Sequence, residues 1–144
     1  MAANTDPRYT LRGDQSTDNA NAMPAAITGA SGDYDGTGAN NALVHTAGAS
    51  GSYVRSVRFK AKGTNVASVA RVYLNNGSTN GTGTNNLFIG EVALPATTAT
   101  NAGSTAEVEY PINRALKAGW RVYVGIGTAV AAGWVPNCDA GQYE

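Results

Sequence analysis

The stretch that most limits what this chain can fold into runs from Thr105 to Thr128, TAEVEYPINRALKAGWRVYVGIGT. Ala106, Val108, Tyr110 and Ile112 are apolar, and Thr105, Glu107 and Glu109 between them are polar. Successive side chains of a strand point to opposite sides, so this period-two alternation marks a strand with one buried face. After a short connection, Arg114 to Gly119, the alternation resumes. Trp120, Val122, Val124 and Ile126 share one face, and Arg121, Tyr123 and two glycines occupy the other. Strands with so apolar an inner face need a second layer to cover it. The chain is therefore predicted to be all-β, an antiparallel β-sandwich.

A chain of 144 residues suits one domain with a true core. Ala, Gly, Val and Thr abound while Leu, Ile, Phe and Met are scarce, so the core is expected to be thin and built from small side chains. Eighteen glycines among many Asn, Ser and Thr residues predict frequent turns. The formal net charge is zero, which leaves little electrostatic protection against association. The single cysteine, Cys138, excludes an internal disulfide. Residues 1–7 carry neither the basic start nor the apolar run of a secretory signal. No apolar run approaches the ~20 residues of a membrane span. The expectation is a soluble protein made in the cytoplasm.

Taken in order, residues 1–25 are polar, contain Pro7 and Pro24 and show no sustained period, which predicts an extended N-terminal arm. The sandwich domain is then 26–144. Within it, short strands are expected at Ala26–Ala30 and Leu43–His45, and longer ones at Ser52–Ala61, Val66–Leu74 and Leu87–Leu94. The two strands of the opening stretch follow, and Ala131–Asp139 closes the domain, with Pro136 predicting an edge strand or an irregular one. About eight strands at such spacing, joined by long loops, predict a jelly roll. Its core is expected to include Val57, Phe59, Val72, Leu74, Phe88, Val92, Val108, Tyr110, Trp120, Val122, Val124 and Trp134, with Trp120 at the centre. In Ser52–Ala61, Val54 is assigned to the face opposite Val57, and Arg55 is a misfit on the inner one. Asn75–Asn86 reads as a long flexible hairpin tip or crossover loop.

The sign of charge shifts along the chain. Residues 1–50 hold Asp6, Asp14, Asp18, Asp33 and Asp35 against Arg8 and Arg12, whereas residues 51–90 hold Arg55, Arg58, Lys60, Lys62 and Arg71 and no acid. A solvated strand face explains this slightly better than an acidic surface that the basic strands would meet, either the chain's own leading segment or a partner. With few basic residues and no aromatic stacking platform beside them, nucleic acid is not an expected partner.

No catalytic, cofactor-binding or metal-binding constellation emerges. His45 is the only histidine and no Gly-x-Ser-x-Gly accompanies it, so it is expected to be structural. Cys138 has acidic Asp139 beside it, the wrong charge for an activated thiolate. Glu107 and Glu109 fall on the polar side of an amphipathic strand. Asp33-Tyr34-Asp35-Gly36 resembles the start of a calcium loop, but counting from Asp33 the twelfth position is Val44, and a turn is expected. Arg12-Gly13-Asp14 and the acceptor-like Asn76-Gly77-Ser78 and Asn80-Gly81-Thr82 are short matches that turn composition explains.

The tail, Ala118-Gly119-Trp120, Val122-Tyr123-Val124 and Gly125-Ile126-Gly127-Thr128-Ala129-Val130-Ala131-Ala132-Gly133-Trp134, resembles the C-terminal part of small structural proteins of tailed bacteriophages. Among these it is most similar to jelly-roll cement, or decoration, proteins on the heads of short-tailed phages. The resemblance covers roughly the last third of the chain. It implies a virion protein, not an enzyme, that sits on the outer surface of the head as a homo-oligomer (a dimer before a trimer) and bridges neighbouring subunits of the major capsid protein. No membrane or cofactor is implied. Val135-Pro136-Asn137-Cys138 departs from the regular final strand of that pattern. The competing reading is a carbohydrate- or receptor-binding module of a phage tail. That role needs an exposed aromatic platform, for which Tyr34, Tyr73 and Tyr123 are the candidates.

Overall fold

The computed structural model describes residues 25–143. Seven strands run in order: β1 (Ala42–Thr46), β2 (Ser52–Ala61), β3 (Ser68–Asn75), β4 (Asn86–Leu94), β5 (Glu107–Leu116), β6 (Arg121–Ile126) and β7 (Trp134–Gln142). They form two antiparallel sheets, β1-β6-β3-β4 and β5-β2-β7. The pairs β1·β6, β2·β5 and β3·β4 are nested, each inside the last along the chain, and β7 adds to the free side of β2. The expected strand at Ala26–Ala30 is instead a strap. It makes single bridges, Ile27 to Trp134 in β7 and Ala30 to Ile126 in β6. The expected arm, residues 1–25, and Arg12-Gly13-Asp14 lie outside the described residues, save Ala25.

The core lies between the sheets. Val57, Phe59, Val72, Leu74, Val122, Val124 and Trp134 are buried as expected. Val92, Val108 and Tyr110 are half-buried and pack against that core. Trp120 differs from expectation. It precedes β6, is only half-buried, and lies under the Lys117 ammonium at 5.8 Å. The central aromatic is Trp134, fully buried, with its backbone paired to Ile27 on one side and Ala61 on the other.

Three bulges account for the other departures. In β2 the register slips between Val54 and Ser56 against both neighbours, and Asn113 of β5 takes a positive φ of 49° at the same level. One residue out of phase flips every side chain beyond it. Val54 therefore points inward with Val57 and Phe59, and Arg55 is exposed. In β1 a slip between Leu43 and His45 buries both Val44 and His45. In β4 the slip at Ile89 sets Phe88 opposite Tyr73 on the outer face of its sheet, not in the core. β5 also runs on through Pro111 to Leu116, beyond the expected end at Ile112, and Pro111 sits where an edge strand tolerates it. β7 is the other edge of that sheet, as Pro136 suggests.

The β4 bulge is locked from across the sandwich. The Tyr110 hydroxyl donates to the Ile89 carbonyl at 2.7 Å, and it lies where a side chain on Gly90 would have to go. Gly90→Ala is expected to push this hydroxyl off its acceptor and cost about 1–2 kcal/mol. A double-mutant cycle with Tyr110→Phe checks it: the two losses should be clearly non-additive, and full additivity would separate Gly90 from Tyr110.

Candidate interaction surface

The two outer faces of the sandwich differ in kind. On the three-stranded sheet, Arg58 of β2 meets Asp139 of β7 at 3.2 Å and Glu107 of β5 at 3.8 Å, and Lys60 donates to the Thr105 carbonyl at 2.7 Å. Glu107 and Glu109 are exposed on this face. The basic run of β2 is thus a solvated face laced to the acids of its own neighbours, and such pairs contribute little stability each.

On the four-stranded sheet the outer face is covered. Val69, Arg71 and Tyr73 of β3 point away from the core, as their alternation predicts, yet Arg71 is only 8% exposed and Tyr73 is fully buried. The loop from Ser31 to Asn41 lies over Arg71 and Tyr73. Arg71 donates through Nη1 to the Ser31 carbonyl at 3.0 Å and through Nε to Glu91 of β4 at 3.3 Å. Its guanidinium lies 4.1 Å from the centre of the Tyr34 ring. Tyr34 in turn meets Phe88 edge-on at 5.4 Å, and Phe88 meets Tyr73 at 5.7 Å. The result is a stacked cluster of three rings and one guanidinium. Burial draws the Arg71 pKa down, but its contacts with Tyr34 and Glu91 more than offset this and leave it raised.

The Tyr73 hydroxyl donates to the Asp33 carbonyl at 2.9 Å. Burial, reinforced by the nearby Asp33 charge, pushes its pKa up to about 12. Because the folded value exceeds the unfolded one, the contribution of Tyr73 to stability is full below pH ~10 and is lost as pH rises towards ~12.

The second loop, 75–86, joins the first. It is not a loose tip: Asn75 bonds Asn86 at 2.9 Å, Asn76 bonds Asn85 at 3.2 Å, and Asn85 bonds the Thr79 carbonyl at 2.9 Å around one 3-10 turn, Gly83–Asn85. The Asn86 amide donates both to the Asn80 carbonyl at 2.8 Å and to the Asp35 carbonyl of the first loop at 3.0 Å. Side-chain amides serve here as substitutes for a backbone ladder. That role is invisible to hydropathy, though the density of Asn was the available signal. At the rim of the joined surface the Tyr34 side chain is 56% exposed, and Leu87 at the neighbouring edge of β4 is 55% exposed.

The remaining sequence candidates are placed as follows. His45 is buried and its Nε2 bonds Ser52 Oγ at 2.7 Å, a structural role. Cys138 is buried in the core, not at a surface. Tyr73 is buried and Tyr123 half-buried, which leaves Tyr34 as the exposed aromatic of the three. Among the described residues no three His, Cys, Asp or Glu side chains cluster as a metal site. No family model, no curated protein and no solved structure matches the chain.

Proposed function

We propose that this chain is a structural protein of a tailed-phage virion, one that binds the outside of the head as a homo-oligomer and cements neighbouring major-capsid-protein subunits. The observation that carries the reading is the joining of loops 31–41 and 75–86 by Asn86 into one stiff surface with an apolar rim. A protein that works by contact needs such a surface and no catalytic group. Its ordering cost is already met before binding, because the loops are tied down by their own amides. The nested strand pairs support the finer, jelly-roll reading of the sandwich, and the tail resembles that of the cement proteins. Many identical modest contacts on a closed lattice reinforce one another through effective concentration.

The polar segment 1–25 is assigned the second contact, by strand addition to a neighbour. A chain lacking residues 1–22 is expected to melt like the full chain but to co-sediment less with undecorated heads. Equal co-sedimentation would remove the arm's role, and loss of the thermal transition would make it part of the core.

One observation favours the tail-module alternative: the exposed Tyr34 ring, backed by Arg71 and flanked by Asp33 and Asp35, is the form of a sugar-stacking platform. Tyr34→Ala and Leu87→Asp separate the readings. Loss of head binding by both supports the cement role, whereas loss of glycan binding by Tyr34→Ala alone supports the alternative.

A further inference from the structure

Loop 31–41 has a feature that surface contact leaves unused. Its oxygen-bearing residues recur at Ser31, Asp33 and Asp35, and Gly36 follows with a positive φ of 76°. Counted from Ser31, these are the first, third and fifth ligand positions and the turn glycine at the sixth of a calcium loop. The twelfth residue on that count is Ala42, which has no side-chain oxygen, but Asn41 immediately before it has one.

Spacing alone makes no site, and the independent observation is Ser31. It is 3% exposed and its hydroxyl has no hydrogen-bond partner. The hydroxyl and the Asp33 carboxylate face the same space beside Gly38: a methyl on that glycine would lie 2.7 Å from Ser31 Oγ and 2.5 Å from Asp33 Oδ2. Asn41 Oδ1 is likewise buried without a partner, and both it and Ser31 Cβ abut Gly125. The amide orientation of Asn41 follows from its Nδ2, which donates to the Gly36 carbonyl at 3.0 Å. The other carboxylate oxygens are placed elsewhere, and Asp35 Oδ2 is 3.2 Å from where a methyl on Gly83 would lie. Asp33 Oδ1 accepts from the Gly36 N–H at 2.9 Å, and Asp35 Oδ1 accepts from Thr37 Oγ1 at 2.7 Å.

We infer that Ser31 and Asp33, supported by Asp35 and Asn41 of the same loop, form a binding site for one hard divalent cation of the calcium class. The ligand set is oxygen only, as such ions require. Carboxylate and amide oxygens are acceptors, and a lone water has only two protons to give them, so a cation suits this set better. Among the described residues the local charge also fits: the charges acting around Tyr73 are Asp33, Asp35 and Glu91 against Arg71, whose guanidinium is already committed to Glu91 and the Ser31 carbonyl. Bound there, the ion would add to the bonds that already hold the loop carrying Tyr34. The inference stands whether or not the surface binds a capsid.

The test is a terbium titration of the full chain, with tyrosine-sensitised luminescence as the readout and calcium as competitor. A saturable signal displaced by calcium is expected. Ser31→Ala, and Asp33→Asn with Asp35→Asn, should weaken it by about 10-fold or more, while Glu107→Gln with Glu109→Gln should leave it unchanged. Circular dichroism checks that each variant folds. If the loop variants do not fold, thermal melts of the unaltered chain decide, since an ion that binds only the folded state raises Tm in calcium above that in chelator. An absent terbium signal, a signal that survives the double Asp replacement, or equal Tm in calcium and chelator would each overturn the inference.

Discussion

Trp134→Ala is expected to destabilise the fold by about 3–5 kcal/mol, the range for truncating a fully buried large aromatic. The residue has no exposed surface and stands in a core otherwise made of Val, Ala and a few larger side chains, so little can collapse into the space it leaves. Its position also joins three parts of the molecule, because its backbone pairs with both β2 and the Ile27 strap. Trp120→Ala is expected to cost much less, about 1–2 kcal/mol, because Trp120 is half-exposed and borders the turn before β6. Denaturant melts of the two variants check the order. A larger loss at Trp120 would mean that the core is centred elsewhere. Trp134→Phe is expected to be milder than alanine, since the indole N–H has no acceptor among the described residues and its removal leaves no polar group behind.

The second large effect is expected at Arg71. Arg71→Ala removes a buried charged donor from the Ser31 carbonyl and from Glu91, and it takes the platform from beneath Tyr34. Charge-assisted bonds of this kind, with a carbonyl left buried and unpaired, place the loss at about 2–3 kcal/mol. Arg71→Lys should not restore it, because an ammonium cannot reach two partners in the plane of a guanidinium or stack on a ring in the same way. The readout that separates this account from simple destabilisation is local. Hydrogen exchange should rise at residues 31–41 and 75–86 before it rises in β2 or β6. A uniform rise across both sheets would show that Arg71 acts on the core and not on the loops.

How far the sequence could be read depended on what each residue's neighbours demanded. Ser52–Ala61 was legible to its ends, and Pro136 announced an edge strand, because alternation and the missing N–H of proline are local facts. The inner faces were legible only up to the bulges. Val54 and Phe88 were assigned to the wrong faces because one extra residue at Arg55 or Ile89 inverts the phase, and nothing in hydropathy marks an insertion. Gly90 was the available mark, since an isolated glycine inside a strand often signals a bulge or a close approach. The two tryptophans exchanged rank for a related reason. Trp120 fits the alternation of β6 but falls just before the strand begins, where the chain is still turning out of Lys117.

The interaction surface was legible in part. Its two loops were identifiable as polar, glycine- and asparagine-rich segments that no core pattern claims. Their union was not legible, since Asn86 and Asp35 stand 51 residues apart and meet through an amide-to-carbonyl bond that leaves no periodic trace. Arg71 was grouped with a solvated basic face because its charge was read without its cover. Only the fold brings Ser31 and Tyr34 over it.

The measurement that tests the central proposal most directly is electron microscopy of the phage particle that carries this protein. The account predicts density for the sandwich on the outer surface of the head, at a junction between major-capsid-protein subunits, with loops 31–41 and 75–86 turned towards the shell. Density for the chain on the tail instead, or on the head with those loops facing solvent, would contradict it.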